Sequence, residues 1–143
     1  MSNRKSWKEY FMEITELVAS RSTCDRAWVG CLLVNDDNRI ISSGYNGSVS
    51  GNPHCDDAGH TMRDDHCIAT IHAEINALLY CAKEGISVKN STAYVTHFPC
   101  LNCTKALIQA GIKQIYYKED YRIDDYALTL LERNNIGYEK LEI

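Results

Sequence analysis

Two short stretches constrain this chain more than anything else in it: His72-Ala73-Glu74 and Pro99-Cys100-Leu101-Asn102-Cys103. Each opens a predicted helix, and one predicted strand, Thr92 to Thr96, lies between them. Cys100 and Cys103 are one helical turn apart, so a helix puts both sulfurs on one face. A helix N-terminus also favours the thiolate, the form that binds metal. A fold that brings the two helix starts together assembles one imidazole and two thiolates. That set suits Zn²⁺ with a fourth position open to water, the arrangement of a catalytic metal rather than a structural one. Two thiolates neutralise the ion's charge, so it acidifies its water less than a three-histidine site does. Glu74, two helical positions on from His72, stands as a proton shuttle beside that water rather than as a fourth ligand.

Around this core the sequence reads as one folded domain, residues 1–143. Hydrophobic residues make up 45% and charged residues 24% of the chain, which excludes a disordered segment. Apolar positions Trp7, Tyr10, Phe11, Ile14, Leu17 and Val18 recur at helical spacing behind Ser6 as N-cap. Ala27 to Asn35 reads as a buried strand, Asp36-Asp37-Asn38 as a turn and Arg39 to Tyr45 as the returning hairpin strand. Asn46 to His66 holds Gly47, Gly51, Pro53 and Gly59 and reads as a long irregular loop, a length that in compact domains is functional or held by something. A helix from Ile71 to Ala82 stops at Gly85, and Cys100 to Ala110 stops at Gly111. Ile115 to Tyr117 is a strand, Asp124 to Arg133 a helix, and Gly137 to Leu141 a last strand. The alternation predicts an α/β protein: a single mixed five-stranded sheet sandwiched between helices. No apolar run is long enough to span a bilayer, and the N-terminus is polar rather than signal-like. A net charge of −4 argues against sequence-independent binding to nucleic acid. The expectation is a cytoplasmic protein with neither a membrane nor a nucleic acid as partner.

Seven cysteines and five histidines without a signal-like start do not read as a disulfide framework. Cys31 lies in the buried strand and Cys81 on a helix, and both read as core. Cys24, Cys55 and Cys67, with His54, His60 and His66, fall in or beside the long loop. Cys24, Cys55, His60 and Cys67 would close a structural zinc site and hold that loop in order. Unliganded thiols are the alternative.

The pairing of His72-Ala73-Glu74 with Pro99-Cys100-Leu101-Asn102-Cys103 matches the zinc deaminase signature H-x-E…P-C-x-x-C. Together with Cys24-Asp25-Arg26-Ala27, Val29-Gly30, Gly44-Tyr45-Asn46-Gly47 and His54-Cys55-Asp56, it makes the chain resemble the deoxycytidylate (dCMP) deaminases of the cytidine deaminase-like superfamily. The resemblance implies the α/β/α fold of that superfamily and hydrolysis of dCMP to dUMP and ammonia, supplying thymidylate synthesis. It further implies attack of an activated water on C4 of cytosine, with Glu74 protonating N3 and then the leaving ammonia. In similar enzymes the backbone N–H at Ala73 holds the base and Asn46 the sugar 3′-hydroxyl, although Gly-Tyr-Asn-Gly suits a plain turn as well. Arg26 is the candidate for the 5′-phosphate, with Lys105, Arg63 and Lys118 as rivals. Thr96 and Phe98, with Tyr94 and His97, are candidates for the base pocket, and a core position is the other reading of Phe98. By the same resemblance the enzyme is expected to be a homohexamer activated by dCTP and inhibited by dTTP, with Mg²⁺ on the triphosphate. Tyr45, Asn46, Gly47 and Ser48 are the candidate effector loop. A cytidine, guanine or tRNA-adenosine deaminase, and a non-enzymatic zinc adaptor, are the competing readings; the adaptor leaves Glu74 without a task, and a tRNA substrate calls for a basic surface.

Overall fold

The computed structural model describes residues 3–23, 27–54, 59–63, 66–67 and 69–143. Helix α1 (Trp7–Ala19) starts at Ser6, whose hydroxyl accepts the Glu9 N–H at 3.2 Å. Strands β1 (Gly30–Val34) and β2 (Ile40–Tyr45) form the expected antiparallel hairpin. Asn38 takes the positive φ of 59° that its turn requires, a conformation asparagine tolerates. Four two-residue strands follow: β3 (Gly47–Ser48), β4 (Met62–Arg63), β5 (His66–Cys67) and β6 (Thr70–Ile71). Then come α2 (Ala73–Glu84), β7 (Thr92–His97), α3 (Leu101–Ala110), β8 (Gln114–Glu119), α4 (Asp125–Arg133) and β9 (Gly137–Lys140).

Five strands make one mixed sheet in the order β2-β1-β7-β8-β9. β1 is antiparallel to both β2 and β7, while β7, β8 and β9 run parallel. This is the α/β/α architecture that the alternation predicts. Side chains alternate across β1 as strand geometry demands. Cys31 and Leu33 enter one core with Val95, Ile115, Ala77, Leu107 and Leu131. Leu32 and Val34 enter a second core with Phe11, Met12 and Tyr94. The first core lies under α2, α3 and α4, and the second under α1 alone. Cys31 and Cys81 are both core residues, at 0% and 1% exposure. No helix among the described residues is long and apolar enough to cross a membrane.

The structure corrects several details of the sequence reading. The buried face of α1 is Phe11, Met12, Thr15 and Ala19, whereas Trp7, Tyr10 and Leu17 are exposed; one helix on a sheet covers a narrow stripe, and the apolar residues flanking that stripe face outward. The segment after Tyr45 is not wholly irregular. Gly47–Ser48 pairs antiparallel with Thr70–Ile71, and Met62–Arg63 with His66–Cys67, pairings of distant or very short stretches with no sequence period to announce them. Ile71 therefore belongs to β6 and not to the helix. Helices α2 and α3 each begin one residue after their metal-type residue, so His72 and Cys100 are N-caps.

Candidate metal centre

Both N-caps sit at the same end of the sheet, that of the carboxyl end of β7, because α2 packs against the β1–β2 hairpin and α3 follows β7 directly. Gly44 allows the first contact: a Cβ there would meet the Ala73 carbonyl oxygen, and the Ala77 nitrogen would be 2.6 Å away. Hydrogen bonds from Ser42 Oγ to the Ala77 carbonyl (2.8 Å) and from Asn76 Nδ2 to the Tyr45 carbonyl (2.8 Å) hold α2 on β2. The β3–β6 ribbon delivers the chain to His72 from the other side.

His72 Nδ1 lies 3.6 Å from Cys100 Sγ and 3.3 Å from Cys103 Sγ. The three donor atoms are within 4.8 Å of one another. Tetrahedral zinc, with bonds of about 2.3 Å to sulfur and 2.0–2.1 Å to nitrogen, needs S···N edges of about 3.6 Å. The donor set fits that ion. Cys100, at the α3 N-cap, also accepts the Cys103 N–H at 3.5 Å. Its thiol is pulled down to about 4, chiefly by the hydrogen bond from the Cys103 thiol and then by His72, against the cost of burial. Cys103 is the donor in that pair and is held up by it. The imidazole of His72 is raised by its bond to Cys100.

Glu74 stands behind this set on the first turn of α2, 4% exposed. Burial pushes its carboxyl up to about 7, with the Cys100 charge adding to the effect, while its own backbone N–H, His72 and the Cys103 side chain pull the other way. A buried carboxyl without a salt bridge among the described residues is costly as core material.

The remaining candidates are distributed unevenly. Ala73 is the first residue of α2 and fully buried. Asn46 is buried at the bend between β2 and β3, and its φ is not positive. Its Oδ1 accepts the Val29 N–H at 2.9 Å and its Nδ2 donates to the Ala27 carbonyl. Thr96 is buried, accepts the Gly30 N–H at 3.1 Å and meets His97 Nδ1 at 2.9 Å. Phe98 corrects the base-pocket reading: it is 2% exposed in the core, edge-on to Tyr117 at 5.0 Å. Pro99 and Cys100 turn the chain immediately after it, which directs Phe98 inward as the anchor of that corner. Tyr45 ends β2, and Gly47 and Ser48 form β3. Of the phosphate rivals, Lys118 is engaged by Glu16 at 3.0 Å. Arg26, Cys24 and Cys55 lie outside the described residues; His60 is described, and Cys67 is described only as backbone in β5. Sequence reasoning overlooked Trp28 and Tyr121, which share a cleft with Thr96 and His97. Neither carries a spacing signal, since both lie outside the regular elements.

Comparison with known proteins follows the same residues. The family model described as the cytidine and deoxycytidylate deaminase zinc-binding region matches residues 5–119. ComE operon protein 2 of Bacillus subtilis is 50% identical over 140 residues, covering 98% of this chain and 74% of that protein. The deoxycytidylate deaminase of Saccharomyces cerevisiae is 36% identical over 93% of this chain, which spans 44% of the yeast protein's length. The crystal structure of dCMP deaminase from the cyanophage S-TIM5 in complex with dCMP and dUMP superposes with a TM-score of 0.83 at 34% identity, covering 98% of this chain and all of that one.

Proposed function

The chain belongs to the family of cytidine and deoxycytidylate deaminases, and from that premise we propose that it hydrolyses dCMP to dUMP and ammonia. The observation that carries this reading is the His72–Cys100–Cys103 donor set with a buried carboxyl, Glu74, two residues behind it. The likeness to the cyanophage enzyme, bound to dCMP and dUMP, extends over nearly the whole chain and supports the choice of substrate. A zinc ion held by the three side chains supplies the Lewis acidity that makes water nucleophilic at neutral pH.

Everything else is the work of the chain's own groups. Glu74 accepts one proton of the attacking water and passes it to N3 of the cytosine, then takes the second from the hydroxyl newly bonded to C4 and delivers it to the departing amine as the C4–N bond breaks. Burial keeps this carboxyl away from bulk water, so its proton goes to the substrate. The Ala73 N–H, in the unpaired first turn of α2, holds the base. An amide has two N–H donors, so Asn46 can keep its bond to Ala27 and give the other to the 3′-hydroxyl. Thr96 closes the floor of the site, and Arg26 meets the 5′-phosphate. Cys24, Cys55, His60 and Cys67 hold a second, structural zinc that fixes the segment between β3 and β6. Tyr45, Asn46, Gly47 and Ser48 receive a triphosphate with Mg²⁺: dCTP as activator, dTTP as inhibitor. The working assembly is a cytoplasmic homohexamer.

The test is ammonia release from dCMP, dCTP, cytidine and deoxycytidine by the purified protein, with dCTP and dTTP added at fixed Mg²⁺, alongside elemental analysis. Turnover of dCMP well above the other three, and two zinc ions per chain falling to one in Cys55→Ser, are the expected results. Preference for an unphosphorylated nucleoside overturns the substrate assignment, and a single zinc unaffected by Cys55→Ser removes the structural site.

A further inference from the structure

Two side-chain hydrogen bonds of 2.8 Å tie α2 to β2, and they hold different things. Ser42 Oγ donates to the Ala77 carbonyl from within the strand. Asn76 Nδ2 donates to the carbonyl of Tyr45, the last residue of β2. Asn76 stands one helical turn beyond His72, whose carbonyl accepts its backbone N–H at 2.9 Å, so the two share a face of α2. So short an amide reaches the strand because Gly44, next to Tyr45, lacks a Cβ and lets the α2 backbone at Ala73 and Ala77 come against it.

Beyond Tyr45 the strand pairing changes character. The Asn46 N–H still bonds the Val29 carbonyl at 3.3 Å, but the Val29 N–H goes to the Asn46 side chain at 2.9 Å and not to its carbonyl. That carbonyl is turned away and accepts the Thr23 N–H and the Ser22 hydroxyl, both at 3.2 Å. Asn46 therefore leaves the ladder at the peptide that joins it to Tyr45. Both polar groups of that peptide are held, its N–H by Val29 and its C=O by Asn76. A peptide unit is planar and stiff, so these two bonds set where the Asn46 Cα stands. Of the two anchors, only Asn76 comes from the helix that carries Glu74 and follows His72.

We propose that Asn76 is a positioning residue for substrate recognition: its bond to the Tyr45 carbonyl registers Asn46 against the helix bearing the acid–base group. This inference rests on the dCMP deaminase reading, in which Asn46 meets the 3′-hydroxyl. Without that bond the peptide is tethered from the Val29 side alone, and Asn46 shifts relative to α2 while the zinc ligands stay in place.

The test compares the affinity of the zinc-loaded protein for dUMP and for 2′,3′-dideoxyuridine 5′-monophosphate by calorimetry, which needs no turnover. The unmodified protein is expected to favour dUMP by about tenfold, the worth of one well-placed hydrogen bond. In Asn76→Ala that preference is expected to fall to about twofold or less, with zinc content unchanged. Asn76→Asp, equal in size but presenting only acceptors to the carbonyl, is expected to lose it as well. Ser42→Ala, which removes the other bond between the same two elements, is expected to keep it. An unaltered preference in Asn76→Ala or Asn76→Asp overturns the proposal and leaves the function reading standing. So does an equal loss in Ser42→Ala, since any loosening of α2 would then suffice. If the unmodified protein itself does not distinguish the two nucleotides, Asn46 does not hold the 3′-hydroxyl, and that part of the function reading falls together with this inference.

Discussion

On one face of the sheet, Gly44 lets α2 approach β2 until the helix backbone touches the strand; on the other, Gly30 does the same for α1 on β1. A Cβ at Gly30 would stand 2.5 Å from the Thr15 carbonyl oxygen and 2.7 Å from the Ala19 nitrogen, and one at Gly44 would be equally crowded by Ala73 and Ala77. Locally the two contacts are near copies, yet only the α2 face bears the candidate chemistry. The reason lies in what each helix start carries. The N-terminus of α1 is capped by a serine at the surface, whereas that of α2 carries His72 and Glu74 and abuts that of α3 with Cys100 and Cys103. Close packing is common to both faces, and the site exists where two helix N-termini meet.

The sharpest way to separate the faces is Glu74→Gln. Turnover is expected to drop by about 10²–10⁴-fold or more, since one group acts on two protons, while zinc content by elemental analysis and the thermal midpoint change little. Near-normal turnover would remove Glu74 from the chemistry. The next comparison uses the glycines. Gly30→Ala and Gly44→Ala should each lower stability by about 1–3 kcal/mol, as overpacking does, measured by denaturant unfolding. Gly44→Ala should depress kcat for dCMP more than Gly30→Ala does, because it displaces the helix bearing Glu74, whereas Gly30 reaches the site only through its N–H on Thr96; equal kinetic damage from Gly30→Ala would show that the faces are not functionally distinct.

The smallest effect concerns His97, at the carboxyl end of the central strand β7. Burial lowers its pKa below 6.5, with Glu119 opposing in part. The unfolded chain therefore takes up the proton more readily than the folded one, so stability is full above pH 6.5 and declines as the pH falls through the lowered value. His97→Gln should narrow the difference in thermal midpoint between pH 8 and pH 5, measured with zinc in excess; an unchanged difference would mean that His97 is not the titrating group.

Legibility followed the same division. The first ligand set was readable because its residues cap helices, and capping residues, stop glycines and the Cys-x-x-Cys turn are short-range signals. Gly85 and Gly111 end α2 and α3 at φ of 71° and 98°, as the sequence suggests. The β3–β6 ribbon was not readable, because Gly47–Ser48 and Thr70–Ile71 pair across more than twenty residues with only two residues on each side. Phe98 read as a candidate for the base pocket or as core, and it takes the core position. Adjacency in sequence says nothing about which side of a corner a side chain takes.

The sequence by itself determined the donor types, the order of helices and strands, and the placing of His72, Glu74, Cys100 and Cys103 at helix starts, since these depend on neighbours within a turn or two. Tertiary structure decided that His72 stands 3.3 Å from Cys103, that Asn46 reaches back to pin both sides of Trp28, and that Trp28 and Tyr121 share one cleft. Those are contacts between residues distant in the chain, and they are fixed by how closely each helix can lie on the sheet and by which strand lies beside which.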